Sequence, residues 1–598
     1  MAGSLTDPDV VAAIQAARMP PAGAWGPFAS PADWRDGWIY FLMVDRFNNP
    51  GAAPAHRPYD DPGYSSFQGG TFRGVQARLG YIKDLGASAI WVSPALKNLG
   101  WDTGTYHGYG IHDFLVAEPR FATSPAAADA ELRDLVDAAH AMGLWVIFDI
   151  VLNHVGNAFA YSADDPGTVP GVPFSPQPLP VYWRLPDGTP RPDPAPVEQI
   201  TGSTGGDLVW PSQLQQNAYF RRQGNPQAGG DDTIGDFDTL RQMRTDNPAV
   251  QDALIAAYEY VIARFDVDGF RIDTLRYLKG DLPRQFGNAM REFAESVGKR
   301  NFFTFGEVLD STAESDIARF IGRDTLDLTN QQMVGVDAAL DYPLFFALKP
   351  VVKGLAAPTA VIGMYDQRKT VEADIVSSHG DATRFFVTFL DNHDMKERLR
   401  YEAPGNPTEY DDQVTLGLAC LFALPGIPCI YYGTEQGLHG AGSDPAVREA
   451  IWGQTGFPAT SPFYLAIQQL SALRSSEPAL RYGRYYFRQV SGDQLHFGFS
   501  PYSGGVLAWS RILADQERTI VANTSTTTPQ NLWVVVDTAL AGTGVPRVLY
   551  SNKAAPVGPG PIAMLPNAVI TQDDGTTSTG AVTVPVSLQP MEIQILSC

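Results

Sequence analysis

Between residues 36 and 480 the chain alternates short apolar runs with amphipathic helical patterns, and eight such runs follow one another. They are WIYFLMV (38–44), SAIWVS (88–93), LWVIFDI (144–150), VDGFRID (267–273), NFFTFGE (301–307), a weaker one near 332–338, RFFVTFL (384–390) and IPCIYY (427–432). Near-continuous apolar runs joined by amphipathic helices are the pattern of βα units around a parallel sheet buried on both faces. Eight units in succession predict an α/β fold, a (β/α)8 TIM barrel, which commonly takes about 250 residues or more. With 598 residues the chain has room for that barrel and attachments.

The connecting helices carry their own start signals. SPAAADAELRDLVDAAHAMG opens on Ser-Pro, and TDNPAVQDALIAAYEYVIARF opens on Thr-Asp-Asn-Pro before an apolar stripe. After the third strand comes a long stretch, 156–238, rich in Pro, Gly and Gln and holding Trp183 and Trp210. A connection of that length is usually functional or a small domain, so an inserted domain B is expected there. Beyond 483 the pattern turns to short alternating segments such as RYYFRQV, GVLAWSRI and LWVVVDT, which predict a C-terminal antiparallel β-sandwich domain over 484–598. The barrel is then 36–155 with 239–483. Residues 1–35 form an N-terminal helical extension, its helix capped around Thr6 and Pro8.

Composition excludes several classes. A net charge of −22 without a compensating basic run repels a phosphate backbone, so nucleic acid is not an expected partner. Three cysteines, Cys420, Cys429 and Cys598, build no disulfide framework. LGLACLFALPGIPCIYYG (416–433) is uncharged, but Pro425, Gly426 and Pro428 break it into a buried helix ending near Leu424 and a short strand, so no membrane partner is expected. The opening MAGSLTDPDVVAAIQAARMPP lacks the basic and apolar regions of a secretory signal. A cytoplasmic chain and a mature secreted form with a new Met both fit it.

The stretch DGFRIDTLRY (268–277) sets an arginine and an aspartate two residues apart in apolar sequence. On a strand, Arg271 and Asp273 face the same side about 6 to 7 Å apart. Barrel sites form at the C-terminal ends of the strands. There Asp149, Asn153 and His154 follow strand three, Arg271 and Asp273 end strand four, Glu307 ends strand five, and Asp391, His393 and Asp394 follow strand seven. A retaining glycosidase needs a carboxylate nucleophile and a carboxylic acid about 5 to 5.5 Å apart. Neighbouring strands, about 5 Å apart, bring Asp273 and Glu307 within reach of that spacing. Arg271 is expected to keep Asp273 ionised, and the apolar neighbours Phe305 and Val308 suit Glu307 to the role of general acid.

At these residues the sequence resembles the α-amylase family, glycoside hydrolase family 13. DIVLNHVG, DGFRIDTLRY, FGEVLD and FLDNHD resemble the family's segments at strands three, four, five and seven, with IYFLMVDRFNN, YHGYGIHDF and IPCIYYGTEQGL in support. The resemblance covers roughly 36–480. It implies Asp273 as nucleophile, Glu307 as acid/base and Asp394 as the carboxylate that grips the distorted sugar. It further implies Tyr109 stacking under that sugar, His154, Arg271 and His393 bonding to it or to the nucleophile, and His107 lining the pocket. The implied substrate is an α-1,4-linked glucan or oligosaccharide. The rivals are a glucanotransferase or α-glucosidase and, remotely, a non-catalytic binding barrel. No organic cofactor is implied. Calcium between barrel and domain B is, with Asn153, Asp236 in IGDFDT and the Tyr277 carbonyl as ligands. Arg276-Tyr277 stands where many amylases carry Lys-His, which leaves calcium open and also touches acceptor binding, where Arg276 would lie.

Overall fold

A computed structural model of the chain describes residues 3–19, 26–56, 65–167, 171–203, 205–309, 314–324, 335–371, 375–540, 542, 544–571 and 575–598. Eight parallel strands make the barrel: β1 (Ile39–Leu42), β2 (Ala89–Val92), β3 (Trp145–Val151), β4 (Gly269–Asp273), β5 (Phe303–Gly306), β6 (Ala338–Ala339), β7 (Val387–Thr388) and β8 (Ile427–Tyr431). Each pairs with its chain neighbour, β8 pairs with β1, and a parallel bridge between Leu340 and Val387 closes β6 onto β7. The expected weak sixth strand near 332–338 falls partly outside the described residues; β6 itself is two residues long.

Register explains the odd pair in DGFRID. Arg271 lies opposite Asp149 on β3 and Phe305 on β5. Phe270 turns outward instead, packing on Tyr258 and Phe286 at ring distances of 5.6 and 6.3 Å. The barrel interior beneath is filled by rings: Phe41 stacks on Trp91 at 3.8 Å, Trp91 meets Phe305 edge-on at 5.5 Å, and the Arg271 guanidinium sits 5.3 Å from the Trp91 ring. This is a packed core with a polar top layer, as barrel geometry requires.

Both helices read from their start signals form. Pro248–Phe265 is capped by Asn247, whose side chain accepts a bond from the Ala249 N–H, and Ala128–Ala141 follows a short 3-10 turn at Pro125–Ala127. The helix Asp411–Ala423 stops where Pro425 and Gly426 intervene before β8, and among the described residues no helix is long and apolar enough to cross a membrane. Cys420 and Cys429 are buried free thiols. The N-terminal helix spans Pro8–Arg18, but its cap residue is Asp7 rather than Thr6, and the Asp7 carboxylate folds back to accept from the N–H groups of Gly3 and Ser4.

Beyond β3 the chain leaves the barrel through two small antiparallel pairs. His154–Val155 pairs with Arg241–Gln242, and Phe159–Ala160 with Tyr182–Trp183. After the last barrel helices, a five-stranded and a four-stranded antiparallel sheet pack face to face over an apolar layer that includes Val521, Val534, Val584 and Leu596.

Candidate active site

The C-terminal ends of the strands open into a cavity of about 980 Å³. Asp273, Glu307, Asp394, Tyr109, His107, His154 and Tyr277 line it. Arg271 and His393 lie beneath its floor, both fully buried. Arg276, Asn153 and Asp236 are not on its wall. Arg276 reaches Asp232 at 3.1 Å instead, on the stretch that follows β3.

Arg271 is the hub. Its Nη1 donates to Asp149 Oδ1 at 2.8 Å and Asp273 Oδ1 at 2.9 Å, and its Nη2 lies 2.9 Å from Glu307 Oε2. Three carboxylates therefore share one guanidinium. Burial and the Glu307 and Asp149 charges push Asp273 well above the usual carboxylate range, against the opposing pull of Arg271, and burial lifts Asp149 to about 6. This runs against the expectation that Arg271 keeps Asp273 ionised. The cation is in place, but it is divided among three partners, and burial works against its pull on Asp273.

Thr274 joins Asp273 and Glu307. Its N–H donates to Glu307 Oε2 at 3.0 Å and its hydroxyl to Asp273 Oδ2 at 3.1 Å. To aim both, Thr274 adopts φ +49°, a left-handed conformation that a β-branched residue rarely takes. Strain at such a position costs about 1–3 kcal/mol and persists only where the surroundings hold it. Tyr342 also donates to Glu307, through its hydroxyl at 3.3 Å.

The histidines are neutral donors and acceptors. Burial first, then the Arg448 and Arg271 charges, holds His393 well below its ordinary value; burial takes His154 down to about 4 and holds His107 far down as well. Tyr109 donates its hydroxyl proton to Asp149 Oδ2 at 2.8 Å, so the 2.6 Å contact to His393 Nε2 requires that nitrogen to carry the hydrogen. His107 Nδ1 accepts from the Tyr109 N–H at 3.0 Å, which leaves Nε2–H as its second polar group. His154 Nε2 stands 3.9 Å from Asp273 Oδ2.

Several site residues escaped the sequence reading. Arg448 donates to Asp394 Oδ1 at 3.0 Å, the His393 carbonyl at 2.9 Å and the Tyr106 hydroxyl at 3.0 Å. It follows β8 in a segment without a motif. Trp101 forms another part of the wall, wedged by Gly167 and Gly188, where a β-carbon would meet its indole at 2.7 and 2.5 Å. Phe237 meets Tyr277 edge-on at 5.7 Å, and both line the cavity.

Of the residues assigned to calcium by resemblance, the Asn153 and Asp236 side chains do not offer it a cradle. Asp236 is paired with the Arg241 guanidinium at 2.9 Å, and Asn153 Oδ1 accepts from Gln242 Nε2 at 3.1 Å. Among the described residues, no group of three or more His, Cys, Asp or Glu side chains converges as a metal site.

Residues 39–490 match the family described as "Alpha amylase, catalytic domain". The chain belongs to the α-amylase family. A relative named alpha-amylase from Streptomyces lividans is 29% identical over 482 residues, covering 74% of this chain and 50% of its own length. A cyclomaltodextrin glucanotransferase from Geobacillus stearothermophilus is 28% identical, covering 76% of this chain and 56% of its own length. The chain thus spans about half the length of these α-amylase-family relatives. The crystal structure of an α-amylase from Geobacillus thermoleovorans, complexed with acarbose, superposes with a TM-score of 0.61 at 24% identity, covering 95% of this chain and 99% of that one. That likeness concerns the fold.

Proposed function

We propose that this α-amylase-family chain acts on α-glucans, cleaving α-1,4-glucosidic bonds with retention, by double displacement. Asp273 Oδ attacks the anomeric carbon while the Glu307 carboxyl protonates the departing glycosidic oxygen, leaving a glycosyl ester on Asp273 and an ionised Glu307. Water then attacks the anomeric carbon, gives its proton to Glu307, and releases Asp273. The observation that carries this reading is the pair of carboxylates on two Nη atoms of one guanidinium, at 2.9 Å each, on the cavity wall. Two carboxylates fixed by a single planar fork suit direct attack by one of them rather than an intervening water.

In this reading Asp394, steadied by Arg448, accepts hydroxyl hydrogens of the distorted sugar. Tyr109, held by Asp149 and His393, offers the ring face beneath it.

A second reading, transfer to another sugar, is favoured by Phe237 and Tyr277. Phe237 is 44% exposed and forms an aromatic edge on the cavity beside the Asp273-Thr274 turn, where an acceptor sugar can stack in competition with water. A time course of products from maltoheptaose separates the readings. Hydrolysis gives only chains of seven units or fewer from the first turnovers; saccharides longer than the substrate, appearing before glucose or maltose, overturn it in favour of transfer.

A further inference from the structure

The pair of short strands through which the chain leaves and re-enters the barrel is held by a buried cation of its own. Arg241 is fully buried, and each of its guanidinium nitrogens is engaged: Nε donates to the Phe159 carbonyl at 2.9 Å, Nη1 to Asp236 Oδ2 at 2.9 Å and Nη2 to Asn157 Oδ1 at 2.8 Å. Its planar head lies 5.2 Å from the Tyr161 ring and 5.4 Å from that of Phe159. Tyr161 closes the far side, its hydroxyl donating to Asp236 Oδ2 at 2.6 Å.

The next residue completes the junction. Gln242 Nε2 donates to Asn153 Oδ1 at 3.1 Å and to the Thr233 carbonyl at 2.9 Å, while Oε1 accepts from the Gly235 N–H at 2.8 Å. Its backbone N–H donates to the second oxygen of Asp236 at 3.2 Å. Asn153 and Asp236 are therefore joined through Arg241 and Gln242, and their oxygens face N–H donors.

Calcium takes six to eight oxygen ligands at about 2.3–2.6 Å and needs carboxylate charge left free for it. Here Asp236 is neutralised by a guanidinium, and the amide hydrogens of Gln242 point at the oxygen that would face the ion. A divalent cation entering this space would meet a fixed positive charge at Asp236 and a donor at Asn153.

We propose that Arg241 and Gln242 do the work of a structural metal ion at this junction, so that the attachment of the inserted segment to the end of β3 needs no divalent cation. The consequence reaches the site, because the strand so braced, His154–Val155 paired with Arg241–Gln242, carries His154 to within 3.9 Å of Asp273. This bracing bears on folding and metal content, whether water or sugar is the acceptor.

The test uses the full chain, purified once with calcium and once with excess EDTA, and reads thermal unfolding and calcium content by elemental analysis. The expected result is a Tm that differs by less than about 1 °C between the two preparations. A Tm lowered by several degrees on chelation and restored by calcium, with one calcium per chain, overturns the proposal. A second arm replaces the cation, Arg241→Met, which leaves Asp236 buried without a partner; its Tm is expected to fall by several degrees in EDTA and in calcium-free buffer alike. A Tm equal to wild type would also overturn the proposal. If this variant does not fold, Gln242→Ala, which keeps the guanidinium and removes only the amide bridge, is expected to give a smaller fall under the same conditions, and no fall counts against the bridge.

Discussion

Replacing Arg271 by lysine keeps one positive charge in the barrel while removing the fork that shares it. In the wild-type chain two different nitrogens are engaged: Nη1 holds Asp149 and Asp273 at 2.8 and 2.9 Å, and Nη2 stands 2.9 Å from Glu307. A single ammonium on a shorter, non-planar head cannot occupy both positions. It can stay with Asp149 and Asp273 or move toward Glu307. At least one charge-assisted contact is lost, worth about 1.5–3 kcal/mol. At about 1.4 kcal/mol per decade, kcat/KM for an aryl malto-oligosaccharide is expected to fall roughly 10- to 150-fold. The pH profile carries a second signature. Desolvation already raises Asp273 well above the usual carboxylate range, and Arg271 is the main force opposing it. Weakening that force favours the protonated form further, so the acid limb of kcat/KM moves to higher pH. Steady-state rates between about pH 4 and 9 measure both effects. A variant within threefold of wild type, with its acid limb unmoved, would refute the reasoning that one guanidinium orders all three carboxylates.

Two further substitutions probe the walls of the site. Arg448→Met removes the 3.0 Å contact to Asp394 and the bonds to Tyr106 and the His393 carbonyl, and is expected to lower kcat/KM by roughly 10- to 100-fold, read by initial rates on the same substrate. Gly188→Ala places a β-carbon 2.5 Å from the Trp101 ring at φ +87°, so a loss of about 1–3 kcal/mol in stability by denaturant unfolding is expected together with a raised KM.

The barrel was legible because its strands are buried on both faces. Runs such as LWVIFDI and IPCIYY leave few alternatives, and the same burial makes Arg271 and Asp273 stand out in DGFRID. The sixth strand was the weakest because only Ala338 and Ala339 pair, and two small residues carry little hydrophobic signal. The positions named for chemistry come together where strand ends supply them, since a strand's C-terminus fixes both location and direction. Arg448 could not be found that way. It reaches Asp394 from a loop after β8, and nothing in DPAVREA distinguishes it from a surface arginine. Arg241 was equally hidden, because its role depends on Asp236, Asn157 and the Phe159 carbonyl, which meet only when the two short strands pair. IGDFDT drew attention to Asp236 as a calcium ligand, and the structure shows a guanidinium beside it. The balance of charge on Asp273 was also beyond reach, since it rests on how many carboxylates share one arginine and not on which residues flank it.

Retention by double displacement requires Asp273 to become covalently bound to the sugar. A direct test incubates the enzyme with a 5-fluoro-α-glucosyl fluoride, whose first displacement outruns the second, then digests it and maps the modified residue by mass spectrometry. The expected result is one fluoroglucosyl group on Asp273, absent from an Asp273→Asn variant. A sugar attached to another residue, or an active enzyme that never accumulates an adduct, would contradict it.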